Sequence, residues 1–198
     1  MLRRVYLHNF RSFLNFEVEL SEFQLFMGPN GTGKTALFDA LNGVRQLIGE
    51  GGRVYDVFPP SELSSGFSNQ DAVMSLELDL EGNGGLYQYG LMIEFDKEQG
   101  LQRIGEEWLS YNGGRLFYAR QGEAHLYRDD YSEGPVFPMD WHQSGVGFLM
   151  RSRDNTRLSW FKDQLQRQFV IKLEPRQMRD ESRQETFRPS EDLANFPD

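Results

Sequence analysis

Cysteine is absent from the 198 residues of the chain, which excludes disulfide bonds, thiolate metal sites and cysteine nucleophiles. This absence fits a reducing compartment, and we expect the protein to be cytoplasmic. Long apolar runs are absent too, and none approaches the roughly 20 residues of a membrane-spanning helix. The N-terminal MLRRVYLHNF also lacks the apolar region of a secretory signal. We therefore expect neither a signal peptide nor contact with a membrane.

An excess of positive charge is lacking as well. The 21 Lys and Arg residues are outnumbered by 30 Asp and Glu residues, which gives a formal net charge of -9. Because an acidic chain repels phosphate backbones, it is a poor candidate for the main surface of a nucleic-acid complex. Arginines recur near the C-terminus but alternate there with Glu and Asp, which favours a solvated charged segment over a basic patch: Arg176, Arg179, Arg183 and Arg188.

The most informative segment is GPNGTGKT, from Gly28 to Thr35, which matches the Walker A phosphate-loop pattern. Its glycines let the backbone curl so that several N–H groups face one phosphate. A following helix presents its N-terminus, which favours an anion. In this pattern Lys34 reaches the β- and γ-phosphates and the Thr35 hydroxyl binds Mg²⁺.

The residues on either side of the loop favour phosphate binding over a chance match. Phe23–Met27 is nearly all apolar, which predicts a strand buried on both faces. From Ala36 to Ile48 apolar residues recur at helical spacing, and Gly49, Gly51 and Gly52 end the pattern. Strand, loop and helix in this order are what the motif requires, so we predict binding of a nucleoside triphosphate.

The remaining pattern predicts an α/β (α+β) fold in which a mixed sheet surrounds the phosphate-loop helix and an antiparallel meander follows. Strands are expected at Leu2–His8 and Phe16–Leu20, and an exposed loop at 55–70. Alternating residues and Gly-containing turns then predict five strands, and a capped helix and a short strand follow. These last elements are 73–80, 87–95, 101–109, 115–120 and 124–127, a helix over 156–168 capped by Asp154–Asn155, and a strand over 170–173.

The loop, with Pro29-Asn30-Gly31 inside it, resembles the phosphate loop of ABC-type ATPases of the SMC and RecF kind. The segment NFRSF, from Asn9 to Phe13, strengthens the resemblance, because these families begin with a strand, this or a similar segment, a second strand and the loop. The later sheet resembles that of stand-alone AAA-type ATPases related to RecF and to overcoming-lysogenization-defect proteins. The resemblance implies an N-terminal lobe over 1–175 and a polar tail or linker over 176–198.

Within that lobe the expected parts are strands, loop and helix over 1–52, a loop over 53–72, the antiparallel sheet over 73–128, and a helix and strand over 140–175. The resemblance implies ATP and Mg²⁺ as ligands, with Arg11 near the nucleotide and Asn30 near the γ-phosphate or the attacking water. An ordinary surface arginine is the alternative for Arg11. The complete expected set for ATP is Arg11, Asn30, Gly31, Thr32, Gly33, Lys34, Thr35 and Ala36, with Thr35 as the Mg²⁺ ligand.

We find no clear match in the sequence to two parts that ABC-type ATPases need for ATP hydrolysis. One is a buried strand ending in Asp-Glu, which binds Mg²⁺ and polarises water, and the other is an LSGG-like signature loop. The acids of MSLELDLE (74–81) and LMIEFD (91–96) lie within alternating strands, so neither run fits the first part. We read His8, His125, His142, Glu106 and Glu107 as structural. The resemblance places the missing parts in a C-terminal lobe and in a dimer partner.

Three functions remain open from the sequence. The first is an ATPase lobe that hydrolyses ATP only when a C-terminal lobe and a homodimer partner complete the site. The resemblance would then connect the complete protein with DNA repair or anti-phage defence, and with DNA or an effector nuclease or toxin as partner. The second is a non-catalytic, ATP-binding regulatory module. The third, a small-molecule kinase, is disfavoured because such kinases alternate strands and helices.

Overall fold

The computed structural model describes residues 1–64, 72–96 and 100–167, all within a unit that spans Met1–Gln168. The strands are β1 Leu2–His8, β2 Phe16–Glu19, β3 Ala72–Gly82, β4 Gly85–Asp96, β5 Leu101–Tyr111, β6 Gly114–Arg120, β7 Glu123–Tyr127 and β8 Glu133–Pro138. The α-helices are α1 Lys34–Arg45, α2 Val54–Val57, α3 Gly145–Phe148 and α4 Thr156–Gln166. A π-helical turn, Gln46–Glu50, continues α1, and a 3₁₀ turn spans Pro60–Glu62.

The eight strands form one sheet in the order β2-β1-β3-β4-β5-β6-β7-β8, and every pair of neighbours is antiparallel. The five-strand meander is confirmed as β3 to β7. Three of its connections are tight turns in which two consecutive residues have positive φ, as type I′ hairpins require. These pairs are Asn83–Gly84, Asn112–Gly113 and Gln121–Gly122. The predicted mixed sheet is not found in the described part of the chain: short turns join most neighbours antiparallel, and β1 and β3 pair antiparallel although β2 and the helical segment lie between them in the chain.

The core lies between one face of this sheet and the helices. Leu7, Leu76 and Leu91 are in register across β1, β3 and β4, and each is at most 2% exposed. Leu37 and Val44 of α1 are buried in the same cluster. Alternation along each strand therefore directs one apolar row toward α1, which fixes the helix that follows the phosphate loop against the sheet.

The segment before the phosphate loop contradicts its prediction. Residues 23–27 form no strand, and the side chains of Phe23, Leu25 and Met27 are 85%, 66% and 84% exposed. A strand is buried on both faces only when neighbouring strands pair with it and layers cover it. No described strand is paired with this segment, so the apolar composition alone does not bury it.

Two other differences concern the C-terminal half of the described chain. β8 was not predicted, because Pro135 and Pro138 interrupt its pattern, yet prolines are tolerated in a strand at the sheet edge. Helix α4 starts where expected, but the Asn155 side chain does not cap it. Instead the Asp129 carboxylate accepts hydrogen bonds from the backbone N–H of Thr156 (2.8 Å) and of Arg157 (3.0 Å).

The predicted strand over 170–173 and the tail over 176–198 lie outside the described residues. In the part of the chain that the structure describes, no helix is both long and apolar enough to span a membrane.

Candidate functional site

Two glycines of the loop adopt backbone conformations that other residues rarely reach. Gly31 has φ 85° and Gly33 has φ 90°. Space is also limiting at Gly33, where a Cβ atom would lie 2.7 Å from the Phe13 ring and 2.9 Å from Ser12 Oγ. The NFRSF turn therefore packs directly against the phosphate loop, which brings together the two sequence features that the resemblance joined.

The Lys34 side chain folds back onto the start of its own loop. Its Nζ donates to the carbonyl oxygens of Gly28 and Pro29, both at 2.7 Å, and lies 3.1 Å from Thr32 Oγ1. The Thr32 hydroxyl in turn donates to the Pro29 carbonyl at 3.0 Å. The amine is thus held at the loop by oxygen acceptors, which are the same kind of partner that a phosphate would offer.

The N-terminus of α1 is suited to an anion. Gly33 is its N-cap and supplies no side-chain acceptor, and no acidic residue lies in the first turn. The positive end of the helix therefore remains uncompensated by its own side chains. Thr35 and Asn30 are exposed, whereas Ala36 is 6% exposed and faces the core. Ala36 could meet a nucleotide only through its backbone N–H.

Arg11 lies between two carboxylates. Its Nε and Nη2 donate to Glu62, the second at 3.0 Å, and its Nη1 donates to Asp39 on α1. The hydrogen bond to Glu62 is the main reason that the pKa of Arg11 is raised above its usual value, and burial opposes this while Asp39 adds to it. The guanidinium is therefore charged, and its nitrogens already donate to Glu62 and Asp39. Its contact with a nucleotide stays a prediction.

The turn that carries Arg11 is held in an uncommon backbone conformation. Asn9 and Arg11 have φ values of 55° and 48°. Buried Asn9 donates to the Val73 carbonyl at 2.9 Å and accepts from the backbone N–H of Ser64 at 3.2 Å. The Arg11 backbone N–H donates to the Glu62 carbonyl at 2.6 Å. These bonds join the turn to β3 and to the segment that follows α2.

A cavity with several apolar side chains lies beside the loop. The rings of Phe13 and Phe16 are stacked with centroids 4.2 Å apart. They border a cavity of about 280 Å³, and the exposed side chains of Leu25 and Met27 together with Lys34 also line it. The cavity therefore combines apolar side chains with residues of the loop itself, Thr32, Gly33 and Lys34.

Acidic residues of β3 and β4 form ion pairs with arginines of the sheet. Glu77 binds Arg4 at 2.9 Å and Glu94 binds Arg103 at 2.8 Å, which fits their assignment to ordinary half-exposed strands. Among the described residues, no group of three or more His, Asp or Glu side chains is placed to hold a metal ion. His125 and His142 each lie beside one carboxylate, at 2.9 and 2.8 Å.

Sequence reasoning missed the two partners of Arg11. Asp39 could have been found from its spacing, because it follows Thr35 by four residues and so shares its face of α1. No pattern marks Glu62, which lies in a Pro- and Ser-rich segment.

A comparison with protein families agrees with this geometry. A family model described as an AAA domain matches residues 4–185, which include the loop, the NFRSF turn and the described sheet except the first two residues of β1. No curated protein matches the chain. The chain therefore belongs to the AAA domain family, a family of ATPases whose domain indicates nucleotide binding.

Proposed function

We propose that the chain binds ATP with Mg²⁺ through residues 28–35 and forms the N-terminal lobe of an ATPase of the SMC and RecF kind. The observation that carries the proposal is the loop itself. Gly31 and Gly33 curl the backbone below the uncapped N-terminus of α1, and the Lys34 amine lies among oxygen acceptors there. Arg11, Asn30, Thr32 and Ala36 complete the proposed ATP-binding set.

The residues present fit the proposed ligands. An uncompensated helix N-terminus favours a phosphate, and the exposed Thr35 hydroxyl is the oxygen donor that Mg²⁺ takes from this motif. Bound Mg²⁺ would neutralise charge on the phosphates. The role of the chain in this proposal is to hold the triphosphate by backbone N–H groups, to place the Lys34 charge beside it and to offer the Thr35 oxygen.

In this proposal ATP is hydrolysed only when other parts join this chain. No described strand of this chain ends in a buried acidic pair, and Glu77 of β3 and Glu94 of β4 are each bound to an arginine. We propose that a C-terminal lobe supplies the water-activating acid and that a second subunit supplies the signature loop. The exposed apolar residues Phe23, Leu25 and Met27 beside the phosphate loop support a further lobe at this place. DNA repair or anti-phage defence, with DNA or an effector nuclease or toxin as partner, extends this proposal to the complete protein and rests on the resemblance.

The test is to measure MgATP binding and phosphate release by the 198-residue chain. Binding should be lost in Lys34→Ala, which removes the phosphate-facing amine, and retained in Arg151→Ala, whose side chain is 70% exposed on another part of the surface. Absence of nucleotide binding by the wild-type chain would contradict the proposal.

Phosphate release separates the proposal from its alternatives. We expect no sustained turnover by the chain alone, because the proposed acid and signature loop come from elsewhere. Turnover that depends on Lys34 would overturn that part of the proposal. If an added C-terminal lobe and dimer partner produce no turnover either, the regulatory module that only binds ATP becomes the better description.

A further inference from the structure

The carboxylate bridge, defined here as Asp39, Arg11 and Glu62, lies where the NFRSF turn meets α1. The Asp39 and Glu62 side chains are 16% and 20% exposed, and that of Arg11 is 37% exposed. One guanidinium thus faces two largely buried carboxylates, which leaves the bridge with a formal charge of −1. Charge pairs of this kind interact more strongly than pairs in bulk water, because little solvent screens them.

The bridge is close to the proposed phosphate site. Asp39 follows Thr35 by four residues on α1, and Cβ atoms at this spacing are about 5–6 Å apart on one face of a helix. Ser12, the residue after Arg11, lies against Gly33 of the loop. The guanidinium is therefore bound to a carboxylate whose residue lies one helical turn from the proposed Mg²⁺ ligand, on the same face of α1.

The two carboxylates hold Arg11 unequally. Glu62 accepts from two nitrogens of the guanidinium, Nε and Nη2, and its carbonyl oxygen also accepts from the Arg11 backbone N–H. Asp39 accepts from Nη1. Because a bidentate pair is stronger and more specific in its geometry than a single bond, the link to Asp39 is the one that a competing anion would replace.

We propose that Asp39 is a positioning residue that lowers the affinity of the phosphate loop for triphosphate by holding Arg11 against α1. On binding, phosphate oxygens replace Asp39 as acceptors for the guanidinium, while Glu62 keeps its two bonds. This inference rests on the proposed function. It predicts an unusual effect, since removal of a native ion pair should improve ligand binding.

The experiment is a double-mutant cycle on the dissociation constant for MgATP, with the wild type, Asp39→Asn, Arg11→Ala and the double variant. We expect Asp39→Asn to tighten binding about tenfold, because one nearby negative charge is removed and Arg11 becomes available. In the Arg11→Ala background the same change should tighten binding by no more than about threefold, the remainder due to the lost charge alone. Asp39→Glu, which keeps the carboxylate, should restore the wild-type value.

Controls separate this effect from general electrostatics and from misfolding. Glu50→Gln removes an ion-paired carboxylate beyond the far end of α1, fifteen residues and roughly 20 Å from Thr35, and should leave the constant unchanged. If Asp39→Asn does not fold, Asp39→Ala is used instead, because alanine is the strongest helix former and should keep α1 intact. Urea unfolding of each variant confirms that it is folded.

Each outcome decides the inference. A gain in affinity that needs Arg11 supports it. Binding that depends on Lys34 but is unchanged or weakened by both Asp39 variants overturns the inference and leaves the proposed function standing. A gain that persists undiminished without Arg11 also overturns it. Absence of MgATP binding in the wild type and in both Asp39 variants overturns both proposals.

Discussion

Replacing Glu107 by alanine is expected to lower the free energy of unfolding by about 3–6 kcal/mol, because three buried donors would lose their acceptor. The carboxylate is 0% exposed and lies on the inner face of β5. It accepts from the hydroxyls of Tyr89 at 2.9 Å and Ser144 at 2.5 Å, and from the backbone N–H of Gly145 at 2.7 Å. These bonds join β4 and β5 to the start of α3.

The magnitude follows from the number of donors. A buried donor without a partner costs about 1–3 kcal/mol, and part of this is recovered if the cavity admits water or if Ser144 turns to another acceptor. The adjacent Glu106 provides a matched control, since its half-exposed side chain lies on the opposite face of the same strand. Glu106→Ala should change the free energy of unfolding by no more than about 0.5 kcal/mol.

The same carboxylate predicts a pH dependence. Burial raises the pKa of Glu107 above its ordinary value of 4.5, although hydrogen bonds from Ser144 and Tyr89 partly oppose the rise. The folded state therefore holds the proton more tightly than the unfolded chain does. The resulting stabilisation is complete below pH 4.5 and is lost as pH rises through the folded-state pKa. Glu107→Gln cannot ionise, so its stability should fall less than that of the wild type over this range.

Urea titrations followed by tryptophan fluorescence would measure both effects, since the chain has three tryptophans, of which Trp108 is adjacent to Glu107. The free energies of Glu107→Ala and Glu106→Ala are compared at pH 7, and wild type and Glu107→Gln are compared from pH 4.5 upward. Equal destabilisation by the two alanine variants would refute the hydrogen-bond reasoning. Parallel pH profiles for wild type and Glu107→Gln would refute the pKa reasoning.

Three further substitutions test the packing. Gly90→Ala should lower the free energy of unfolding by about 1–3 kcal/mol in urea titrations, because its Cβ would lie 2.3 Å from the Trp108 ring; an unchanged urea midpoint would contradict this. Asp129→Ala should remove about 0.5–2 kcal/mol by uncapping α4, as measured by thermal unfolding. Leu25→Ser should change the unfolding free energy by no more than about 0.5 kcal/mol, because the side chain is 66% exposed, whereas a buried strand residue would cost several times more.

Local signals were sufficient for most of the sheet. The meander was predicted because its strands alternate with period two and its turns carry residues that tolerate positive φ, such as Asn83 and Asn112. Both determinants act over a few residues, so a sequence displays them directly. β8 was not predicted because its two prolines argue against a central strand. Its position at the edge of the sheet, where prolines are tolerated, is visible only in the structure.

The candidate site was predictable in its loop but not in its surroundings. The residues of the pattern, from Gly28 to Thr35, lie within eight consecutive positions, so the sequence displays the loop directly. The partners of Arg11 are 28 and 51 residues away in the chain, at Asp39 and Glu62. Such pairings depend on how the NFRSF turn meets α1 and the segment after α2, which no periodicity encodes.

The failure of the prediction for residues 23–27 bears on how the phosphate loop works. The loop is fixed at its helical end, where Gly33 packs against Phe13 and where α1 is buried in the core. At its other end Phe26 meets the Phe38 ring edge-on at 6.1 Å, but Phe23, Leu25 and Met27 remain largely exposed. If a further lobe covers these three side chains, as we propose, it would restrict the segment that leads into the loop. Because ordering of a binding segment costs conformational entropy, that cover should raise nucleotide affinity even before the lobe contributes any residue to catalysis.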